Sequence, residues 1–388
     1  MKTNCSILAA LLFVFLPTAS PAETVAAKPA PSLAATLQPF LDKHDMAGAV
    51  VLVATKDKVL DVEAVGYADI KAQKPMQTDC MFLIASQSKP IAATAVMMLV
   101  DEGKLNVDDP VEKYLPEFKG QMVIAQQDAE HKLLRKPAHP MTIKNLLTHT
   151  SGLRPFSPLE EPLRDLLPLR TRVASYAMLP LEFEPGSKSL YSNAGVNTAG
   201  RIVEVVSGMP YEEFISKRLL VPLGMKDTTF WPSPEQLKRL AKPYKLNGKT
   251  GQEETTIVAF SYPLDDHRRQ PIPAGGLFST ASDLSLFYRM IAQGGSFAGR
   301  RYLSEQAVAE MTRKQTGDLP SPYGFCFGVG GGRIGHAGSY GTNSSYDPKH
   351  QLITIYMVQQ KGWRHKANKK ILAAVQSAAT KAFSTPSR

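Results

Sequence analysis

Cysteine is scarce: three in 388 residues cannot form the disulfide framework of a small stapled fold. Cys5 precedes the apolar N-terminal run, whereas a lipid-attachment cysteine closes such a run. Cys80 and Cys326 are far apart and carry no metal-ligand spacing, and His131, His139 and His267 sit in polar loops without partners at that spacing. No metal and no cofactor is therefore expected. An oxidising compartment would permit a Cys80–Cys326 bridge, but two free, buried thiols are the preferred reading.

Long apolar runs are equally rare. The stretch from Ile7 to Leu16 is too short to span a bilayer, and nothing later is apolar enough. Internal repeats are absent, and so are the reader motifs and aromatic-basic interleaving that nucleic-acid binding wants. The net charge of +10 and pI near 9.3 then suggest only attraction to an anionic envelope. The group Arg364, Lys366, Lys369 and Lys370 reads as a solvated helix face.

Lys2, the apolar run and the small residues ending at Ser20-Pro21-Ala22 read as an export signal cleaved near Ala22. The expected product is periplasmic or secreted, with no stable membrane anchor. Residues 23–32 form a Pro/Ala linker without hydrophobic periodicity, expected to be disordered. One domain should occupy 33–383. It opens with a helix from Leu33 to His44 and a hairpin of Ala47–Ala54 and Val59–Val65 around a Lys-Asp-Lys turn. It closes with a strand, Leu352–Val358, and a helix, Lys366–Phe383. The fold class is thus α/β (α+β): an antiparallel sheet flanked by terminal helices, with an inserted all-helical lobe roughly within 99–268.

Into this frame comes "FLIASQSKPIAATAVMMLV", residues 82–100. Pro90 is tolerated only in a helix's first turn, so the helix starts near Ser86–Ser88, and Gly103 ends it. Ser86 then lies where free N–H groups favour developing negative charge. Lys89, one turn on, shares its face. Burial would lower the Lys89 pKa and let it exchange a proton with the serine, making an activated nucleophile. Ser-x-x-Lys is expected about once or twice by chance in a chain this long. An N-cap serine beside a snorkelling lysine would give the same letters.

Two later stretches change the weight. "PGSKSLYSNAG" places Tyr191 and Asn193 two apart after a Pro-Gly turn. Tyr191 would accept the Ser86 proton if Lys89 and a second cation lowered its pKa, and Asn193 would hold a substrate amide oxygen together with Lys89. "GGRIGHAGSYGTNSS" sets His336, Ala337 and Gly338 on a glycine-rich edge strand. There Gly338 allows a ligand backbone to approach, and the Ser339 N–H joins that of Ser86 to hold an oxyanion.

Ser-x-x-Lys, Tyr-x-Asn and His-x-Gly, in that order, resemble the serine β-lactamase and penicillin-binding-protein superfamily. The resemblance is to its class C-like branch of β-lactamases, D-alanyl-D-alanine carboxypeptidases, D-aminopeptidases and esterases. "TIKNLLTHTSGL", "PLGMKDTTF", "AGGLFSTASDLSLF" and "DPKHQLITIYMVQQ" also look like family stretches, so the similarity runs from about residue 33 to 383. It implies an exported serine hydrolase with Ser86 as nucleophile, Lys89 and Tyr191 as proton-transfer pair, Asn193 as substrate clamp and His336 as second cation or relay. The implied substrate is a small molecule or peptide, possibly cell-wall derived: a D-amino-acid peptide or a small acyl ester.

The third motif departs from the Lys-Thr-Gly usual in family β-lactamases. Histidine is only partly charged near neutral pH, and Ala337 lacks a hydroxyl for a substrate carboxylate. Efficient β-lactam turnover is thereby disfavoured. A class C-type β-lactamase, or a penicillin-binding protein with little turnover, stands as the alternative. The literal Lys249-Thr250-Gly251 reads as a polar turn, "AGSYG" imitates a nucleophile elbow by letter, and Gly330-x-Gly332-x-x-Gly335 has no helix after it and reads as a hairpin. His149 reads as structural.

Overall fold

Gly48–Ala54 (β1) is apolar along its length because both of its faces are covered. Ala49, Val51 and Val53 point to one core cluster, and Val50, Leu52 and Ala54 to another. The computed structural model describes Met1 and residues 32–161, 164–247, 251–257, 260–362 and 366–384. The expected export signal, nearly all of the linker, Lys249-Thr250 and Arg364 lie outside these residues.

From Leu33–Asp42 (α1) the chain enters β1 and turns into Val59–Asp69 (β2) and the short Lys74–Pro75 (β3). Ile334–Ala337 (β4), Asn343–Asp347 (β5) and Leu352–Met357 (β6) complete an antiparallel sheet in the order β4-β5-β6-β1-β2-β3. Its centre is the pairing of both ends of the chain, with Leu52 opposite Ile355 on one side and Val62 on the other. The terminal helix Lys366–Phe383 (α7) packs with α1, and α7 also lies on β6. Ala281–Ala292 (α6) covers the opposite face.

Ser88–Asp101 (α2) is buried on all sides from Ser88 to Leu99, which its predominantly apolar sequence allows, and Lys89 and Thr94 are buried with it. Pro90 occupies its first turn, and Gly103, in the left-handed region at φ 68°, follows its end. α2 packs on Asn193–Ser207 (α5), which Ile143–Leu147 (α3) and Leu169–Ala177 (α4) flank. The inserted lobe is not purely helical, contrary to expectation. Val123–Gln127 and Lys132–Arg135 form a hairpin whose turn is pinned by Asp128 Oδ1, which accepts the N–H groups of Glu130 and His131. Tyr244–Asn247 and Gly251–Glu254 form a second hairpin.

At the sheet edge, the turn after β4 lies against the residues leading into α2. A Cβ on Gly338 would sit 2.5 Å from the Ile84 carbonyl oxygen and would overlap the Thr342 hydroxyl. Cys80 and Cys326 are free and buried, as read from sequence.

Two outcomes follow. Gly338→Ala should lose about 1–3 kcal/mol through overpacking, read as a lowered Tm; an unchanged Tm would contradict the close approach. A thiol reagent, followed by peptide mapping, should label Cys80 and Cys326 only after denaturation.

Candidate active site

Ser86 stands in a single 3-10 turn, Ala85–Gln87, that feeds α2. From Met81 to Leu99 it is the one residue not buried. The turn is strained: Ala85 has φ 46°, while His149 and Cys326, both near Lys89, have 59° and 58°.

Lys89 follows one helical turn later and is wholly buried. Its Nζ donates to Ser86 Oγ at 3.1 Å, to Asn193 Oδ1 at 2.7 Å and to the Ala274 carbonyl at 2.7 Å. Among the described residues no carboxylate compensates it, and burial pushes its pKa down to about 7. Near neutral pH a large share of Lys89 is the free amine, which has a lone pair for the serine proton.

Asn193 is the first residue of α5, whose start is held by the Ser192 hydroxyl accepting the Gly195 N–H at 3.2 Å. With Oδ1 on Lys89, its Nδ2 has no partner among the described residues, and Asn193 lines the cavity. The Tyr191 ring lies 4.8 Å from Lys89 Nζ, and its phenol meets the Ser86 side chain.

Two expectations change here. Tyr191 as a residue is 44% exposed, but its hydroxyl end turns inward to the Ser86 side chain, where desolvation raises its pKa above the ordinary phenol value and the Ser86 contact opposes only in part, which favours the protonated phenol. His336 is no second cation: burial, and then the charge of Lys89, push it down to about 3. Its Nδ1–H donates to its own neighbour's carbonyl, Ala337 O, at 2.8 Å, and its Nε2 accepts from the Tyr323 hydroxyl at 2.5 Å. Both ring nitrogens are thus engaged with His336 neutral.

Gly338 also differs from its expected role. Its N–H donates to Thr342 O at 2.7 Å, so it closes the turn and does not line the cavity. Ser339 does line it, as does Ser86, and neither backbone N–H has an acceptor among the described residues. Both amides are therefore available to a ligand in the cavity.

The sequence reading overlooked Tyr323, although the aromatic-glycine alternation of "PYGFCFG" signals a tightly packed loop. It also overlooked Asn197, four residues after Asn193 and therefore on the same helix face. His149 is structural in a specific sense. Its Nδ1 accepts the Ser192 N–H at 3.2 Å, and its ring packs on Tyr191 and Tyr323 at 4.4 and 4.8 Å between centroids.

These groups open on a cavity of about 970 Å³. Leu83, Phe156, Phe260, Ile272 and Tyr340 give it apolar walls, and Arg333 and Arg164 stand further along. Arg333 is paired with Asp347 at 2.9 Å. Arg164 stacks on Phe156 at 4.1 Å.

The Beta-lactamase family model matches residues 33–378. An uncharacterised protein of Mycobacterium tuberculosis (strain CDC 1551 / Oshkosh) is 34% identical over 366 residues, covering 84% of this chain and 88% of its own. Esterase EstB of Burkholderia gladioli is 36% identical over 233 residues, 55% of either chain. Lovastatin esterase of Penicillium rubens is 29% identical over 320 residues, 76% of this chain and 78% of its own. Among solved structures, EstCE1, described as a hydrolase with promiscuous acyltransferase activity, shares the fold. Its TM-score is 0.72 at 24% identity, over 90% of this chain and 97% of that one. A match of that length, on a fold that the solved structures share, makes the chain a member of the β-lactamase family of serine hydrolases.

Proposed function

We propose that the protein is an exported hydrolase that cleaves esters through a Ser86 acyl-enzyme, favouring substrates with apolar groups and no carboxylate beside the scissile bond. The observation that carries this reading is the buried Lys89 amine, 3.1 Å from Ser86 Oγ at the foot of a largely apolar cavity.

Lys89, as free amine, takes the proton of Ser86 while Oγ attacks the carbonyl carbon. The Ser86 and Ser339 N–H groups hold the oxyanion. Tyr191 gives its proton to the leaving oxygen and is reprotonated from the Lys89 ammonium. Water then repeats the sequence on the ester: its proton goes to the same base, and Ser86 leaves as the protonated alcohol. Asn193 holds Lys89 through Oδ1 and offers Nδ2 to the substrate.

Ester specificity is favoured over a free C-terminal carboxylate because His336 is neutral with both nitrogens engaged and Ala337 brings no hydroxyl. The esterase names of two relatives agree with this.

The test is hydrolysis of p-nitrophenyl butyrate beside intact mass after exposure to a penicillin. Wild type should cleave the ester, Ser86→Ala should lose at least about a thousandfold, and the penicillin should persist. A lasting penicillin adduct without ester turnover would indicate a penicillin-binding protein, and Ser86-dependent loss of the drug a β-lactamase.

The pH dependence has a defined sign. Since the free amine is the active form, kcat/KM should rise with pH through a midpoint near 7. It should then stay flat, because His336 and His149 are pushed down and Tyr191 up. A bell with a descending limb between pH 7 and 9 would contradict these assignments.

A further inference from the structure

Lys89 has three acceptors, and one of them is spent by the reaction: once Ser86 Oγ becomes an ester oxygen it is a poor partner for an ammonium. The Asn193 amide and the Ala274 carbonyl remain. The Ala274 carbonyl belongs to the peptide joined to Gly275, whose N–H donates to the Ile272 carbonyl at 2.9 Å, as the Gly276 N–H does at 2.8 Å; the peptide on the other side of Ala274 has a hold of its own.

That second hold is a chain of hydrogen bonds starting at the Ala274 N–H, two of whose members, Asn197 and Glu160, also line the cavity. The Ala274 N–H donates to Asn197 Oδ1 at 3.1 Å, Asn197 Nδ2 to the Tyr176 hydroxyl at 3.0 Å, and that hydroxyl to Glu160 Oε1 at 2.7 Å. Glu160 ends it, with Oε2 on the Ser157 N–H at 3.1 Å and Oε1 3.5 Å from Arg172 Nε. Asn197, Tyr176 and Glu160 are each exposed by 2% or less. Every donor points toward the carboxylate, so the bonds polarise one another in one direction. α5 supplies Asn197 and α4 supplies Tyr176 and Arg172, which spreads the device over two helices.

We propose that Asn197 is a positioning residue for the base: braced by Tyr176 and Glu160, its amide aims the Ala274 carbonyl at Lys89 and so stabilises the ammonium formed on proton transfer. This rests on the reading of Lys89 as the base. Among the described residues the titratable groups facing Lys89 are Tyr191 before α5, His149 after α3, His336 on β4 and Cys326, and none of these is a carboxylate. Glu160 acts from the far end of the chain.

The experiment follows the Lys89 amine directly, by the 13Cε resonance of labelled lysine assigned with Lys89→Met, alongside the pH profile of ester hydrolysis. Asn197→Ala should move the Lys89 midpoint toward acid by on the order of one pH unit, since the ammonium loses an oriented acceptor. Its plateau kcat should fall about tenfold. Tyr176→Phe keeps the Asn197–Ala274 bond but cuts the brace, and should move the midpoint in the same direction by less. It carries the test should Asn197→Ala fail to fold. A lowered Tm or rate with the Lys89 midpoint unmoved would make Asn197 a packing residue and overturn the proposal. Absence of ester hydrolysis in wild type would instead remove the functional reading, while the resonance still reports whether Asn197 governs Lys89.

Discussion

The burial of one amine organises this site. An ammonium taken from water with no carboxylate beside it is disfavoured, and the fold surrounds Lys89 with neutral acceptors in place of a counter-ion. In the mechanism proposed above, that choice leaves a base able to work near neutral pH. A carboxylate in the position of Asn193 would hold Lys89 charged and remove the lone pair on which that mechanism relies.

The same constraint explains the neutrality of the neighbours. Lys89, His149 and His336 share one dry region, so a charge on any of them disfavours charge on the others. His336 is settled by Tyr323 and by its own carbonyl. His149 serves as a plate between two tyrosine rings. From Met81 to Leu99 only Ser86 is not buried, and the strained Ala85 before it is tolerable because the surrounding core is closely packed.

Much of this was legible in the residues. Pro90 located the start of α2, and its spacing from Ser86 and Lys89 set the two on one face. β1 and β6 declared themselves as β-rich runs, whereas the glycine-rich edge strand expected to open at His336 ends at Ala337, with Gly338 in the turn after it. The hairpin at residues 123–135 escaped notice because its second strand, Lys-Leu-Leu-Arg, is exposed along its length and shows no apolar-polar alternation, its turn being made by an aspartate side chain. Tyr323 and Ala274 escaped because their contributions are a hydroxyl and a carbonyl delivered from far along the chain.

The sequence by itself determined which groups this protein has for chemistry and, through the order of its motifs, which family it belongs to. Local spacing sufficed for Ser86 and Lys89 because three residues on a helix are neighbours whatever surrounds them. Protonation was decided only by the tertiary structure. The pKa values of Lys89, Tyr191 and His336 depend on how much water the packed lobes exclude and on which distant oxygens face them, and neither quantity is encoded in any short stretch of the chain.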